Sequence, residues 1–297
     1  MRDFQKYWST RIEQIEDILE DTLPRATVQP GLLHEAMRYS TLGGGKRLRA
    51  LLVMAACEAV GGEVDRTPSL VAAVEMVHAY SLIHDDLPCM DDDDLRRGKP
   101  TNHKVYGEAM AVLAGDALLT EAFAELAKMP EKYGVSPQTT VRVIGELARG
   151  AGSQGMVGGQ VVDIQGQEQE PNRSTLDYIH RHKTGALITA ALRGGALLGG
   201  CSEEELEQIT VYGENFGLAF QITDDILDEI GQTAQLGKTV GADQRLGKQT
   251  FPRLYGLDES KQMAQESVAK CLDALEGFTD QAWFLRELAT FIIQRDH

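Results

Sequence analysis

The stretch that decides the fold of this 297-residue chain is Ser81-Leu82-Ile83-His84-Asp85-Asp86-Leu87-Pro88-Cys89-Met90-Asp91-Asp92-Asp93-Asp94-Leu95-Arg96-Arg97-Gly98. It places six carboxylates within ten residues, and the residues before it, 71–83, are mostly apolar and helix-forming. A buried helix is therefore predicted to end in dense negative charge. Because close carboxylates repel and raise each other's pKa, the cluster favours a hard divalent cation such as Mg²⁺, which binds carboxylate, water and phosphate oxygens.

A second acidic cluster lies far along the chain, in Gln221-Ile222-Thr223-Asp224-Asp225-Ile226-Leu227-Asp228. Asp224 and Asp228 are four residues apart and share a face of the predicted helix. Two such clusters facing one another could hold several Mg²⁺ ions with a diphosphate between them. For the first cluster taken alone, a solvated acidic loop or a Ca²⁺ site is the competing interpretation.

Hydrophobic periodicity predicts helices almost throughout and no convincing strand. The predicted helices cover residues 2–22, 31–41, 48–60, 67–86, 107–128, 137–151, 153–164, 174–198 and 202–228, and more helix follows residue 243 except at 248–252. Ser174 with Asp177, and Ser202 with Glu205, fit capping boxes. No stretch has the composition of a linker, so we expect one all-α domain over residues 1–297.

Charge and composition exclude several classes of protein. The net charge of −16 argues against a nucleic-acid partner. No run of eighteen apolar residues is present, so no stable membrane insertion is expected. The N-terminal residues lack the apolar core of a signal peptide, and the four scattered cysteines lack metal-ligand spacing. We therefore expect a cytoplasmic protein.

A glycine-rich basic motif, Gly43-Gly44-Gly45-Lys46-Arg47-Leu48-Arg49, precedes the third predicted helix. The glycines let the backbone approach an anion, and the start of the helix offers free N–H groups. Lys46 and Arg49 are three residues apart and point the same way. The motif suits a diphosphate, although its spacing is not that of a P-loop.

Other basic residues and one histidine can be interpreted either as ligand contacts or as structural or solvated side chains. Arg96 and Arg97 are either anion ligands or charge balance for the six aspartates that precede them. His78 lies seven residues before Asp85, on the same helix face, and is either a structural histidine or a ligand contact. A lysine such as Lys183 most often lies on a solvated face.

Together these motifs resemble the trans-prenyltransferases, or isoprenoid diphosphate synthases, and most of all the bacterial farnesyl diphosphate synthases. The motifs that carry the resemblance are residues 44–49, 85–91 (the D-D-x-x-x-x-D form), 158–163, 182–186 and 224–228 (D-D-x-x-D). The resemblance implies a single-domain isoprenoid-synthase bundle of helices around a central cavity. It also implies a homodimer and three Mg²⁺ ions, with Mn²⁺ as an alternative metal.

The implied activity is the Mg²⁺-dependent head-to-tail condensation of isopentenyl diphosphate with dimethylallyl or geranyl diphosphate, which makes farnesyl diphosphate. The same chemistry carried further would make geranylgeranyl diphosphate, the nearest alternative. A terpene cyclase and a regulatory subunit of a prenyl synthase are more distant alternatives. A cyclase would have no second diphosphate for the basic motif, and a regulatory subunit would be expected to have lost aspartate motifs.

The resemblance also assigns roles to residues. The implied metal ligands are Asp85, Asp91 and Asp224. Catalysis is assigned to these three together with Asp86, Lys183, Asp225 and Asp228. The implied contacts of the allylic diphosphate are Arg96, Lys183, Thr184, Gln221 and Lys238. The implied contacts of isopentenyl diphosphate are Gly45, Lys46, Arg49, His78 and Arg97.

Product length is expected to depend on the residues one helical turn before Asp85. Ser81 lies close to the same face and is small, so it leaves room for a growing chain. Tyr80 is about 140° round an ideal helix from Asp85, so geometry alone does not put it directly below. The resemblance favours Tyr80 as the floor of the cavity; packing between helices is the other interpretation.

Overall fold

A computed structural model describes residues 3–166, 172–230 and 250–294 of the chain. The chain divides into two compact units, one formed by Met1–Met54 and Val64–Ile144, the other by Ala55–Glu63 and Gly145–His297. Helices dominate both units, which confirms the predicted all-α fold class. The prediction of one domain over residues 1–297 stays a prediction. None of the helices in the described part of the chain is long and apolar enough to cross a membrane.

Eight α-helices lie within the described residues 3–151. In chain order they are α1 (Phe4–Thr22), α2 (Gly31–Thr41), α3 (Leu48–Ala59), α4 (Pro68–Asp85), α5 (Asn102–Tyr106), α6 (Glu108–Ala127), α7 (Met129–Tyr133) and α8 (Pro137–Ala151), with a 3₁₀ turn at Val64–Arg66. Helix α4 packs against α1, α2 and α6. Residues 69–77 of α4 are all buried, and apart from Ser69 and Glu75 their side chains are apolar.

A short hairpin follows α4. Strands β1 (Leu95–Arg96) and β2 (Lys99–Pro100) pair antiparallel. The two linking residues, Arg97 and Gly98, have φ of 54° and 75°, the left-handed backbone that a two-residue type I′ turn requires. These strands could not be predicted from hydrophobic periodicity, since two residues are too few for an alternating pattern.

The second unit contains a helix whose hydrogen-bond pattern changes midway. The described elements that follow α8 are α9 (Met156–Gly166), α10 (Arg173–Ile179), the π-helical segment π1 (His180–Gly185), α11 (Ala186–Gly199), α12 (Glu203–Ile230), α13 (Phe251–Tyr255), α14 (Leu257–Ala274) and α15 (Trp283–Ile292), with a 3₁₀ turn at Asp280–Ala282. The helix that changes its hydrogen-bond pattern runs from α10 through π1 to α11. The predicted helix over 174–198 is thus α10, π1 and α11 in sequence. Helix α12 packs against π1, α11, α13, α14 and α15.

Two helix starts test the predicted capping boxes. At α12, the backbone N–H of Ser202 donates to Glu205 at 2.7 Å, and the backbone N–H of Glu205 donates to Ser202 Oγ at 3.2 Å, which confirms that capping box. At α10 the cap is Asn172, whose side chain accepts the N–H of Ser174 at 2.9 Å. The predicted Ser174 cap was therefore wrong by two residues.

Glycines allow helix backbones to approach π1 closely. A Cβ on Gly159 of α9 would lie 2.1 Å from the backbone nitrogen of Lys183, and one on Gly217 of α12 would lie 2.9 Å from Gly185 Cα. Both separations are too short for any side chain. Close helix packing, rather than space for a ligand, therefore explains these two glycines.

Candidate active site

The first aspartate motif lies where α4 ends and the chain folds back. The backbone N–H of Asp91 donates to the Asp85 carbonyl oxygen at 2.9 Å, and that of Asp92 donates to the Leu87 carbonyl oxygen at 3.1 Å. The turn therefore brings Asp85 and Asp91, two of the predicted metal ligands, to one end of α4. Both residues are half-buried. Carboxylate oxygens at the end of a packed helix are a donor set that fits Mg²⁺.

Asp86 differs from its neighbours because it is only 3% exposed and already paired. Arg96 Nε lies 2.7 and 3.0 Å from its two carboxylate oxygens, and Arg96 also contacts Asp93 at 3.5 Å. Burial raises the pKa of Asp86, while the Arg96 charge opposes that rise. The pair ties the β1–β2 hairpin to the end of α4. Charge balance thus accounts for this arginine, and its predicted allylic-diphosphate contact stays a prediction.

The glycine-rich loop and Arg97 come together, as the predicted isopentenyl site requires. Gly44 and Gly45 have φ of 86° and 132°, which other residues rarely adopt. Arg97 donates to the Gly44 carbonyl oxygen. A Cβ on Gly45 would lie 2.7 Å from the Arg97 guanidinium carbon, so glycine is needed for this approach.

Arg47, between the two predicted diphosphate ligands of this motif, is buried in an ion-pair network. Its guanidinium lies 2.7 and 3.1 Å from the two oxygens of Glu16 and 3.3 Å from Glu75. Glu75, on α4, also accepts the backbone N–H of Ala50 at 3.3 Å. The network fixes the start of α3 to α4. Sequence reasoning missed Glu75; the signal was a lone carboxylate in an otherwise apolar helix.

His78 stands among the arginines of the first unit. Its pKa is held well below the ordinary value of 6.5 by burial and then by the charges of Arg49 and Arg97, with Arg96 and Arg47 adding to the effect. The ring is therefore neutral near pH 7. His78, Arg49 and Arg97, all predicted to bind isopentenyl diphosphate, therefore interact electrostatically within this unit. Lys46, in the same motif as Arg49, is exposed. Positive charge gathered around a neutral donor or acceptor suits a diphosphate.

Tyr80 and Ser81 occupy the last turns of α4. Tyr80 is 7% exposed, and its ring packs edge-on against His84 with ring centroids 5.8 Å apart. Burial, and secondarily the charge of Asp85, raises the pKa of Tyr80 to about 12, so its hydroxyl stays protonated. The Ser81 hydroxyl donates to the His78 carbonyl oxygen at 2.9 Å.

In the second unit, Asp224 and Asp228 are half-buried on α12, whereas Asp225 between them is buried. The carboxylate of Asp225 accepts the side-chain amide of Gln221 and the backbone N–H of Phe251, each at 3.0 Å. It therefore fastens α13 to α12. These contacts position the chain, and a catalytic role for Asp225 stays a prediction.

The π1 segment carries two more predicted residues. Lys183 Nζ lies 2.6 Å from Asp163 Oδ2 on α9, and the Thr184 hydroxyl donates to Gln221 Oε1 at 2.9 Å. Sequence reasoning did not single out Asp163 as a site residue, although it closes the 158–163 motif. The structure therefore connects Lys183 to α9 and Thr184 to α12.

His180 is the first residue of π1 and is buried. Its ring stacks on Phe251 at 5.0 Å, with Nε2 3.7 Å from the Asp225 carboxylate. Burial, with a smaller effect of Lys183, lowers the pKa of His180 to about 3, so the ring is neutral. Lys238, predicted to contact the allylic diphosphate, lies outside the described residues.

Each unit therefore combines aspartates with cations. The first offers Asp85 and Asp91 near Arg96 and the arginines around His78. The second offers Asp224 and Asp228 on α12 and the cation Lys183 on π1. Carboxylates that bind a divalent metal, beside cations that bind phosphate oxygens, are suited to stabilising a diphosphate as a leaving group.

Comparison with known proteins gives consistent results. A family model described as polyprenyl synthetase matches residues 30–282. The large subunit 1 of a chloroplastic heterodimeric geranylgeranyl pyrophosphate synthase from Arabidopsis thaliana is 47% identical, over 99% of this chain and 80% of that protein. A dimethylallyltranstransferase from Fischerella ambigua is 45% identical, over 98% and 83%. A crystal structure of an FPP/GFPP synthase from Zymomonas mobilis has a TM-score of 0.87 at 37% identity, over 98% of each chain.

Proposed function

The chain belongs to the polyprenyl synthetase family, and we propose that it catalyses the Mg²⁺-dependent head-to-tail condensation of isopentenyl diphosphate with an allylic diphosphate. Prenyl chain elongation is the activity of this family, so the protein is a prenyltransferase. The observation that supports the two-substrate proposal is that Arg97 contacts the glycine-rich loop and, with Arg49, lies near neutral His78. Positive charge there could bind a second diphosphate in addition to the one at the aspartate motif.

Isopentenyl diphosphate is proposed to bind this basic group. Arg49 and Arg97 supply positive charge, and Gly45 lets the backbone come close. The buried Arg47 network holds the start of α3, and with it Arg49, against α4. His78 can donate or accept a hydrogen bond without adding charge.

The allylic diphosphate is proposed to bind through the aspartate motifs. Asp85, Asp91 and Asp224 would hold Mg²⁺, which when bound neutralises the charge that develops on the departing diphosphate. The Lys183 ammonium forms an ion pair with Asp163, and the Thr184 hydroxyl donates to Gln221. An ammonium has three N–H donors, so Lys183 can keep Asp163 as a partner and also bind a leaving group with little reorganisation during the reaction.

For the product we propose farnesyl diphosphate. A buried tyrosine on the turns of α4 just before Asp85 supports this choice, because a large ring there would stop the growing chain early. Geranylgeranyl diphosphate is the second candidate, and it is favoured because the Arabidopsis thaliana relative is a geranylgeranyl pyrophosphate synthase subunit. The two candidates share chemistry and differ only in when growth stops.

The test is to incubate purified protein with Mg²⁺, isopentenyl diphosphate and each allylic starter, and to measure product length by mass spectrometry. We expect fifteen-carbon product from the wild type, longer product from Tyr80→Ala, and unchanged length from Tyr80→Phe, which keeps the ring. Twenty-carbon product from the wild type would establish the second candidate. No condensation with any starter would contradict the proposed function altogether.

A homodimer and a cytoplasmic location also remain predictions. Light scattering on the purified protein measures the mass of the assembly directly and would distinguish a dimer from a monomer.

A further inference from the structure

The hairpin segment after α4 contains a group of side chains that the proposed condensation does not use. We propose that Asp92, Asp94 and His103 form a separate site for a divalent transition-metal ion. Each offers a ligand atom, a carboxylate oxygen or a ring nitrogen, and these atoms all lie within 4.8 Å of one another. Among the described residues, this is the group of acidic and histidine side chains that meets this spacing.

His103 is what distinguishes this group from an exposed acidic loop. It is only 6% exposed, and its Nε2 atom is buried without a hydrogen-bond partner in the described part of the chain. Buried polar atoms in folded proteins nearly always have a partner, so an orphaned ring nitrogen on a histidine that is grouped with two carboxylates points to a missing ligand.

The hydrogen bonds around His103 indicate which ring nitrogen carries the proton. The Thr101 hydroxyl donates its one hydrogen to the Asp93 carbonyl oxygen at 2.8 Å. Since His103 Nδ1 lies 3.2 Å from the same hydroxyl oxygen, Nδ1 must be the donor there. Nε2 then keeps its lone pair. A histidine held by its other N–H in this way is the usual arrangement for a metal ligand.

The two carboxylates are suited to complete the site. Asp92 and Asp94 are exposed, and Asp92 adopts φ of 51°, a left-handed conformation within the tight turn. Ligands about 2.1 Å from a shared metal lie roughly 3–3.5 Å apart, so exposed side chains need to move only slightly to close around an ion. A mixture of imidazole and carboxylate favours Mn²⁺, Co²⁺ or Zn²⁺ over Mg²⁺.

One cation already competes for this group. Lys104 Nζ lies 2.7 Å from Asp94 Oδ1 and lowers the pKa of that carboxyl. A metal would have to share Asp94 with this ammonium, which weakens binding. The Mg²⁺ ions proposed to bind the allylic diphosphate, by contrast, have aspartate carboxylates as their only protein ligands. Nitrogen coordination therefore separates the new site from the catalytic one.

The experiment uses the full-length protein, stripped of metal and free of diphosphates. Mn²⁺ is added and pulsed electron paramagnetic resonance reports whether a nitrogen is coupled to the ion; Zn²⁺ titration calorimetry gives affinity. We expect nitrogen coupling in the wild type and in Asp85→Asn. His103→Gln should remove the coupling and weaken Zn²⁺ at least tenfold, whereas His34→Gln, in α2, should change neither.

Two further variants keep the test decisive if His103→Gln fails to fold. Asp92→Asn, at an exposed left-handed position that Asn tolerates, should also weaken Zn²⁺ binding about tenfold. Lys104→Gln should tighten binding several-fold, while Lys99→Gln, with the same change of charge, should not. Absence of nitrogen coupling in the wild type, or equal Zn²⁺ affinity in the wild type and Asp92→Asn, would overturn the proposal. Neither result bears on whether the protein makes a prenyl diphosphate.

Discussion

Replacing Glu75 by alanine should destabilise the protein and damage one substrate site. The side chains of Glu75 and Arg47 are each 3% exposed and lie 3.3 Å apart. Without Glu75, the buried Arg47 guanidinium keeps only Glu16 of the two carboxylates in this network. The backbone N–H of Ala50 also loses the Glu75 oxygen that accepts it. Both losses fall at the start of α3.

The size of the effect follows from these contacts. Breaking a buried ion pair costs about 3–5 kcal/mol, and the lower end applies because Arg47 keeps two contacts to Glu16. An unsatisfied backbone N–H adds about 1 kcal/mol. At roughly 2 °C per kcal/mol for a chain of this size, Glu75→Ala should lower Tm by roughly 6–8 °C. Glu75→Gln, which keeps an acceptor for Ala50, should lose less.

Thermal unfolding followed by circular dichroism measures this loss. The matched control is Glu20→Ala, which removes another Arg–Glu pair, with Arg38, whose glutamate is 59% exposed. That variant should change stability by at most about 1 kcal/mol. Steady-state kinetics of Glu75→Ala at a permissive temperature should show a several-fold higher KM for isopentenyl diphosphate than in the wild type, with the allylic KM little changed.

Equal Tm values for Glu75→Ala and Glu20→Ala would contradict the expected cost, since burial of the ion pair would then not matter. Normal KM values for both substrates in a destabilised Glu75→Ala variant would contradict the kinetic expectation instead. In that case the Arg47 network supports the fold without positioning the isopentenyl site.

Asp85→Asn and Asp224→Asn should each lower kcat by at least about 10²-fold, and near-normal turnover at limiting Mg²⁺ would contradict their metal role. Arg49→Ala should raise the KM for isopentenyl diphosphate about 10–100-fold, as expected for the loss of a charged contact worth about 1.5–3 kcal/mol, and equal effects on both substrates would place it elsewhere. The pKa of His180 is about 3 when folded and near 6.5 when unfolded, so the unfolded chain binds the proton more tightly. The free energy of unfolding should therefore fall as pH drops from about 6.5 towards 3, by up to about 1.4 kcal/mol per pH unit, and His180→Gln should flatten that dependence in urea titrations.

Much of the helical framework is predictable because it follows from local patterns. The apolar run that ends at Asp85 specifies both a buried helix and where its acidic end emerges. The Ser202 capping box is a contact between residues three apart, so sequence alone determines it. The Ser174 cap failed because the helix begins at Arg173, so Asn172 is the N-cap and its side-chain oxygen accepts both the N–H and the hydroxyl of Ser174.

Pairings between distant residues could not be predicted in the same way. Arg96 had several carboxylates within reach, and only the folded turn selects the buried Asp86. The Lys183–Asp163 contact joins residues twenty positions apart on different helices. The π1 segment has no periodic signature over six residues, and close approach at Gly159 decides its position.

The π1 segment also affects how the protein tolerates the deletion of a single residue. A π turn holds more residues per turn than an α turn, so deleting one residue there would allow an ordinary α-helix to form. The flanking helices α10 and α11 would then keep nearly the same relative rotation, because the π turn accommodates its extra residue by turning less per residue. The residues inside the segment would shift instead, so Lys183 and Thr184 could not both keep their contacts with Asp163 and Gln221. A single-residue deletion between 180 and 185 should therefore preserve the helix but disturb these two contacts more than a substitution at the exposed Arg181 does.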